Sequence, residues 1–275
     1  MKILSKIYTW LIFAFLYAPI VVLIVFSFNN SKSRSVWAGE ITFKWYVELF
    51  KDREIMDALL NTLLVAVVSA IVATIIGTFA AIGIHSMNKK LRNTWMMVNN
   101  IPMVNPEIVT GVSLGLMFTF FIEILKNLGF DASLNMLTLI LAHITFNIPY
   151  VVLSVYPKLR QMNPYSYEAA LDLGCTPIKS IFKVVLPEIM PGVITGLIMA
   201  FTLSLDDFVI SYFTSGPSAQ TLPLVIYAMT KRRISPKVNA LSAIMFAVVL
   251  ILLIIVNLRQ SKDNKSNDRK EKSFI

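Results

Sequence analysis

The sequence predicts an all-α integral membrane protein with six transmembrane helices. Of its 275 residues, 56% are hydrophobic and 15% are charged, and the mean hydropathy is +0.69. Several uncharged runs approach the ~20 residues that a helix needs to cross a hydrocarbon core. Because lipid offers backbone groups no hydrogen-bond partners, each such run is expected to be helical. The predicted spans lie at 7–28, 59–84, 95–121, 134–156, 191–213 and 240–258.

The two ends of the chain differ in character. Lys2 and Lys6 precede the first apolar run, as in a secretory signal peptide, but its length and the lack of a small-residue cleavage site favour a retained helix. The last residues are charged and poor in apolar side chains, which is typical of disorder. We therefore predict a membrane domain over 1–258 and a disordered tail over 259–275.

Basic residues predict the orientation. If both termini are cytoplasmic, 15 of the 25 Lys and Arg residues fall on the inner side, as positive-inside bias requires. Lys231, Arg232 and Arg233 fall outside and oppose this assignment. The same bias explains the pI of about 9.6 without nucleic acid, since no soluble domain carries a basic face. We predict a multi-pass protein with N- and C-termini in the cytoplasm.

The segment 157–190 is predicted to form a polar helical hairpin between two spans. Asn163 is a good N-cap, Pro164 suits the first helical position, and Gly174 suits the left-handed residue that closes a helix. Thr176 repeats the start signal, and a second helix is expected to end before Pro187. The second helix carries one apolar stripe at helical spacing, formed by Ile178, Ile181, Phe182, Val185 and Leu186.

This hairpin resembles the EAA loop of bacterial ABC importer permeases. Glu168, Ala169 and Ala170 match the pattern at the right distance from Gly174, and Leu186 and Pro187 complete it. Val184 stands where the family usually has Ile, which is a conservative departure. The resemblance implies that the segment docks on an ATPase and couples ATP hydrolysis to movement of the membrane helices.

Three carboxylates lie inside predicted spans. A charge in mid-bilayer costs on the order of 3 kcal/mol on insertion scales, so Glu107, Asp206 and Asp207 are the best candidates for a functional site. Glu107 follows Asn105 and Pro106, which predict a broken helix, and its carboxylate either stabilises the new N-terminus or lines a pathway. On one helix Asp206 and Asp207 would point about 100° apart, so one of them is expected to face a pathway.

Further segments resemble spermidine/putrescine permeases of the PotC type. They are Tyr17–Ile20, His143–Phe146, Phe201–Val209, Thr214–Ser218 and Ser235–Leu241, which together sample most of the chain. This resemblance implies a type I ABC importer permease fold in the bacterial cytoplasmic membrane. It also implies a PotB-like second permease, a homodimeric ABC ATPase and an extracytoplasmic polyamine-binding protein.

Polyamine transport fits the candidate residues. Carboxylates together with the aromatic faces of Phe208, Tyr212 and Phe146 would lower the cost of moving ammonium groups through the membrane. The chain lacks the G-x-x-x-x-G-K-[ST] phosphate loop, so ATP and Mg²⁺ are expected on the partner ATPase. We predict a transport subunit, not an enzyme, with no catalytic residue, cofactor or metal of its own.

Other functions stay open at this point. The chain could be an ABC permease for a different small solute, or a stand-alone ion-coupled carrier. An intramembrane hydrolase would use the Asp pair with His143 or His85, but the sequence has no H-E-x-x-H metal-binding helix. The preference between spermidine and putrescine is also open, as is the choice between a substrate site and a simple passage.

Two outer segments are predicted to lie at the membrane surface. The segment 29–58 carries Trp37, Phe43, Trp45 and Tyr46, which could contact an external partner but are more typical of anchors among interfacial lipids. The apolar run 222–232 is too short to span and predicts a short surface helix. Membrane lipid is thus an expected partner.

Overall fold

The computed structural model describes residues 2–31, 40–217, 219–231, 237–251 and 254. In this part of the chain the fold is helical, with one isolated β-bridge between Asn29 and Ile41, which confirms the predicted all-α class. One π-helical turn, Ile181–Val185, joins α8 to α9. The helices are α1 (Lys2–Ser27), α2 (Lys44–Lys51), α3 (Arg53–Ser86), α4 (Lys89–Val104), α5 (Glu107–Asn127), α6 (Met136–Gln161), α7 (Pro164–Asp172), α8 (Pro177–Ser180), α9 (Leu186–Asp206), α10 (Val209–Thr214), α11 (Leu222–Lys231) and α12 (Lys237–Ile251).

Five of the described helices are long and apolar enough to cross a membrane. They are Lys6–Ser27 within α1, then α3, α5 and α6, and the continuous helix Pro177–Asp206. The predicted sixth span, 240–258, extends past the described part of α12, so the count of six stays a prediction. Trp37, Arg232, Arg233 and the tail 259–275 also lie outside the described residues.

The chain divides into two compact units, Met1–Asp57 with Val225–Ile275, and Ala58–Leu224. In the first unit Trp45 is only 5% exposed, and its indole Nε1–H donates a 2.7 Å hydrogen bond to the Asn29 carbonyl. The prediction that Trp45 anchors at the membrane interface is therefore wrong, because the indole finds its acceptor inside the protein. A 3.2 Å ion pair between Lys237 Nζ and Asp52 Oδ2 also lies within this unit.

In the second unit α6 and α9 pack closely. Gly192 and Gly196 stand four residues apart on α9 and face α6. A Cβ at Gly192 would lie 2.9 Å from the Ser154 carbonyl oxygen, and one at Gly196 would lie 3.3 Å from Val151 Cα. Small residues at this spacing let two helix backbones approach, which is how helices associate where lipid competes for every apolar contact.

Replacing Gly192 with leucine should therefore separate α6 from α9. Overpacking of this kind costs roughly 1–3 kcal/mol, and here the obstacle is backbone that cannot move aside. We expect less folded protein after mild heating in detergent, measured by size-exclusion chromatography. Gly83→Leu is the matched control, because nothing lies within 4 Å of a Cβ at that helical glycine. Equal losses from both variants would contradict the packing argument.

The local signals of the hairpin are confirmed. The Asn163 side chain accepts a 3.0 Å hydrogen bond from the Tyr165 N–H at the start of α7, and the Thr176 hydroxyl caps α8. Gly174 follows α7 with φ +85°, and the Cys175 N–H reaches back to the Ala170 carbonyl at 3.0 Å. This left-handed closure satisfies carbonyls at the helix end and turns the chain into α8.

The predicted end of the second hairpin helix before Pro187 is wrong. The helix continues through the π-helical turn into α9, and the Leu186 N–H bonds to the Ile181 carbonyl, five residues back. In a regular helix a proline ring crowds the carbonyl four residues earlier and lacks its N–H. In the wider π-helical turn the carbonyls that precede Pro187 no longer lie where the proline ring would crowd them, so the helix continues through Pro187.

Two predicted spans also change. The break at Asn105 and Pro106 is confirmed, but the membrane-length helix is α5, so Glu107 begins that helix instead of lying within a span at 95–121. The predicted single helix over 191–213 is wrong, since α9 ends at Asp206 and α10 begins at Val209. Asp206 and Asp207 are therefore not successive residues of one helix.

Candidate functional site

The break between α9 and α10 is built by Asp207. Its backbone is extended, with ψ 124°, and its carboxylate turns towards the start of α10. Oδ1 accepts a hydrogen bond from the Ile210 N–H at 3.2 Å, and Oδ2 accepts from the Ser211 N–H at 2.8 Å and the Ser211 hydroxyl at 2.9 Å. A negative charge that accepts from free N–H groups stabilises a helix N-terminus. Asp207 thus serves the fold, with its side chain 6% exposed.

His143 reaches the same carboxylate from α6. Its side chain is fully buried, with Nε2 lying 3.2 Å from Ser211 Oγ and 3.5 Å from Asp207 Oδ2. Because the Ser211 hydroxyl proton already goes to Asp207, Nε2 must carry hydrogen and donate to Ser211. The contacts therefore assign the tautomer, and they tie α6 to the first turn of α10.

One turn further along α6, Asn147 holds the other side of the break. Its Nδ2 donates a 2.8 Å hydrogen bond to Ser204 Oγ in the last turn of α9. Ser204 also shares a 3.1 Å hydrogen bond with Ser69 of α3. These groups are buried, so each bond counts more than it would in water.

Close packing by α5 seats α10. A Cβ at Gly111 would lie 3.2 Å from the Val209 carbonyl oxygen, and one at Gly115 would lie 2.9 Å from the Phe213 carbonyl oxygen. The two glycines therefore bring the backbones of α5 and α10 together. An apolar cluster of α5, α6 and α10 lies beside them, formed by Leu114, Phe118, Ala142, Phe146 and Ile210.

Asp206 differs from its neighbour. It is exposed at the last position of α9, and it interacts electrostatically with the carboxylates of Asp207 and Glu107. Glu107 is likewise exposed, at the first position of α5. Among the described residues no basic side chain pairs with Asp206 or Glu107. The break thus presents an acidic surface whose charge the described part of the chain does not neutralise.

The predicted aromatic residues divide into two groups. Tyr212 is 55% exposed and its ring lies 5.7 Å from that of half-buried Phe208, just after Asp206. Phe146 is buried in the apolar cluster and contributes packing. Asp206 therefore lies near Glu107 and two residues before Phe208, whose ring packs against that of Tyr212, and the hairpin lies at the other end of the continuous helix that ends at Asp206.

Sequence reasoning missed the buried polar groups that frame this break. The sequence gives His143 a possible role only in a hydrolase, and it predicts no individual role for Asn147, Ser204 or Ser211. One signal was available, because His143 and Asn147 stand four residues apart on one face of an apolar span.

Ser211, His143 and Asp207 do not form a hydrolytic triad. In such a triad the carboxylate binds the histidine on the nitrogen away from serine, and the histidine takes the serine proton. Here the serine donates directly to Asp207, His143 contacts both groups through Nε2, and all three are buried. Nor does any cluster of three metal-binding side chains occur among the described residues.

The fold and the site define a polytopic helical membrane protein with an acidic break at the end of a membrane-length helix, a feature typical of solute transport subunits. Residues 73–260 match the family of inner membrane components of binding-protein-dependent transport systems. The chain belongs to this family. It is therefore an inner-membrane transport subunit and is not itself an enzyme.

Curated relatives cover most of the chain. It is 41% identical to the putrescine transport system permease protein PotI of Escherichia coli (strain K12), over 87% of this chain and 84% of PotI. It is 38% identical to the spermidine/putrescine transport system permease protein PotC of the same strain, over 93% of each chain.

A solved structure shares the fold. The bacterial alginate ABC transporter in complex with an alginate pentasaccharide-bound periplasmic protein contains a chain that matches with a TM-score of 0.73. The match covers 96% of this chain and 95% of that chain, at 18% identity. At this identity the likeness establishes the fold alone.

Proposed function

We propose that this chain is a permease subunit of an ATP-driven polyamine importer and that Asp206 contributes to the path of the substrate. The observation that supports the proposal best is the exposed carboxylate at the end of α9, which has no basic partner among the described residues. Such a charge is costly within a membrane unless it faces water or a cation. A polyamine supplies several ammonium groups.

Surrounding groups support the choice of a cation. Glu107 adds a second negative charge from α5, and the exposed ring of Tyr212 on α10 offers a cation–π surface. The relatives PotI and PotC carry putrescine and spermidine in their names. Together these observations favour putrescine or spermidine over a neutral or anionic solute, and they make Asp206 and Glu107 the pathway candidates.

The hairpin is the proposed contact with the ATPase. Leu173 and Ile178 are 86% and 70% exposed at its tip, and Glu168 is exposed on α7. Val185 is buried and Leu186 packs on the α6–α9 core, so the hairpin is anchored at its base. An exposed apolar surface on an anchored element suits a protein partner. ATP and Mg²⁺ would bind to that partner, a homodimeric ATPase.

The remaining partners follow from the proposed importer. A PotB-like permease would complete the pathway, and an extracytoplasmic polyamine-binding protein would deliver the substrate. The proposed orientation places both termini and the hairpin in the cytoplasm of a bacterial cell.

Cys175 offers a test of this orientation, because it is the single cysteine of the chain and lies in the hairpin beside Gly174. We expect a membrane-permeant maleimide to label it in spheroplasts and an impermeant maleimide to label it only after lysis. The control is Cys175→Ser, which should abolish both signals. Labelling of intact spheroplasts by the impermeant reagent would place the hairpin outside and overturn the proposed coupling.

Uptake into proteoliposomes that contain both permeases, the ATPase and the binding protein tests the proposed substrate. We expect ATP-dependent accumulation of radiolabelled putrescine or spermidine. A neutral polyol or an acidic amino acid should neither accumulate nor compete. ATP-dependent uptake of such a solute without polyamine uptake would identify a permease for another substrate. Uptake by this chain alone under an ion gradient would identify a carrier.

A further inference from the structure

We propose that His143 and Asn147 are positioning residues for Asp206, acting as a polar splint along α6 that holds the ends of α9 and α10 in place. This inference rests on the proposed function of Asp206. Its basis is the spacing of the two side chains, which lie one turn apart on the same helix and contact opposite sides of the break.

Each contact fixes one side of the break. Asn147 donates to Ser204, two residues before Asp206, and so fixes the last turn of α9. His143 donates to Ser211, whose hydroxyl and N–H both bind the Asp207 carboxylate, and so fixes the first turn of α10. Asp206 lies between these two fixed points with its own side chain exposed.

The splint is built from groups that are unusual inside a membrane protein. His143 and Asn147 are both fully buried, yet His143 Nδ1 and Asn147 Oδ1 have no hydrogen-bond partner among the residues that the structure describes. Most buried polar atoms are paired, and an unpaired one destabilises the fold. An apolar pair would fill the same space without that cost. The hydrogen bonds to Ser204 and Ser211 therefore explain why α6 carries polar residues at 143 and 147, because these bonds hold the end of α9 and the start of α10 in place.

A double-mutant cycle separates positioning from general stability. In the reconstituted complex, His143→Ala should lower the initial rate of polyamine uptake about tenfold when Asp206 is present. In an Asp206→Asn background the same substitution should change the remaining rate less than about twofold, because the group being positioned is gone. Ser211→Ala removes a single hydroxyl and should show the same dependence on Asp206 with a smaller loss.

His143→Gln tests whether the donor matters, because an amide nitrogen can replace the imidazole N–H. It should restore uptake to within about threefold of the wild-type rate. Thr145→Ala is the matched control on α6, since the exposed Thr145 hydroxyl donates to the Leu141 carbonyl of its own helix and to no other described residue. This control should leave uptake unchanged. The amount of purified complex is measured for every variant.

The outcomes distinguish the two proposals. The splint would be overturned if His143→Ala and Ser211→Ala each lowered uptake by the same factor with and without Asp206, or if neither variant lowered uptake at all. Either result would leave the role of Asp206 intact. Normal uptake by Asp206→Asn alone would overturn the proposed role of Asp206, and the splint with it. If His143→Ala prevents assembly, the Ser211→Ala and His143→Gln cycles decide the matter.

Discussion

Asp206→Asn should lower ATP-dependent polyamine uptake by at least about tenfold, which corresponds to about 1.4 kcal/mol. The substitution keeps the volume of the side chain and removes its charge, so it tests the electrostatic contribution directly. An ionic hydrogen bond contributes roughly 1.5–3 kcal/mol, which sets the scale of the loss. Initial uptake rates in proteoliposomes are the measurement, with purified complex as the check on assembly.

Asp207→Asn provides the comparison, because its carboxylate lies next in sequence but is turned into the fold. There we expect a lower unfolding temperature of the complex, because a charged cap on α10 is weakened at a cost of roughly 1–3 kcal/mol. Any loss of uptake should follow the loss of folded complex. The reverse pattern, in which Asp206→Asn destabilises the complex and Asp207→Asn abolishes uptake in a stable one, would exchange the two assignments.

Gly174→Val should uncouple ATP hydrolysis from transport. Gly174 has φ +85°, and a left-handed conformation costs an L-residue roughly 1–2 kcal/mol, more for a β-branched side chain. No atom of the described residues lies within 4 Å of a Cβ at this position, so the conformational strain acts alone. Relief of that strain would change the angle between α7 and α8 and displace the exposed tip of the hairpin. We expect uptake to fall severely while ATPase activity no longer responds to substrate.

Gly129→Val is the matched control for this variant. Gly129 also has positive φ, at +88°, and also has open space around its Cβ, but it follows α5 and not α7. The two substitutions therefore carry the same backbone cost at different places. Substrate-stimulated ATPase activity that survives Gly174→Val, or is lost equally in both variants, would contradict the role proposed for the hairpin.

The hairpin could be predicted from sequence because its signals are local. Asn163, Pro164, Gly174 and Thr176 each act on backbone groups within four residues, so their effect does not depend on distant parts of the chain. The break at Pro106 was predictable for the same reason. The path of the chain past Pro187 could not be predicted in this way, because the same residues allow either a helix that ends before Pro187 or a π-helical turn that continues it. In the continuous helix, Val185 and Ile189 pack in the core.

The acidic break is where sequence reasoning reached its limit. Ser204 to Val209 contains neither proline nor glycine, and its apolar neighbours favour an unbroken helix. Asp207 is a possible N-cap, but an apolar run conceals that weak signal. The break depends instead on tertiary partners, namely Gly111 and Gly115 on α5 and the polar face of α6. Asp206 could be named from sequence as a candidate pathway residue, while its separation from Asp207 required the structure.

The unbroken helix from Pro177 to Asp206 makes the hairpin and the carboxylate two ends of one lever arm. With 30 residues its length is about 45 Å at 1.5 Å per residue. A tilt of roughly 10° at the hairpin end would then sweep the opposite end through about 8 Å, on the scale of a small solute. Amplification of this kind needs no relay of side chains. Under the proposed coupling, the π-helical turn lies close to the end of this helix that the ATPase would move, so bending at that turn would reduce the movement that reaches the acidic break.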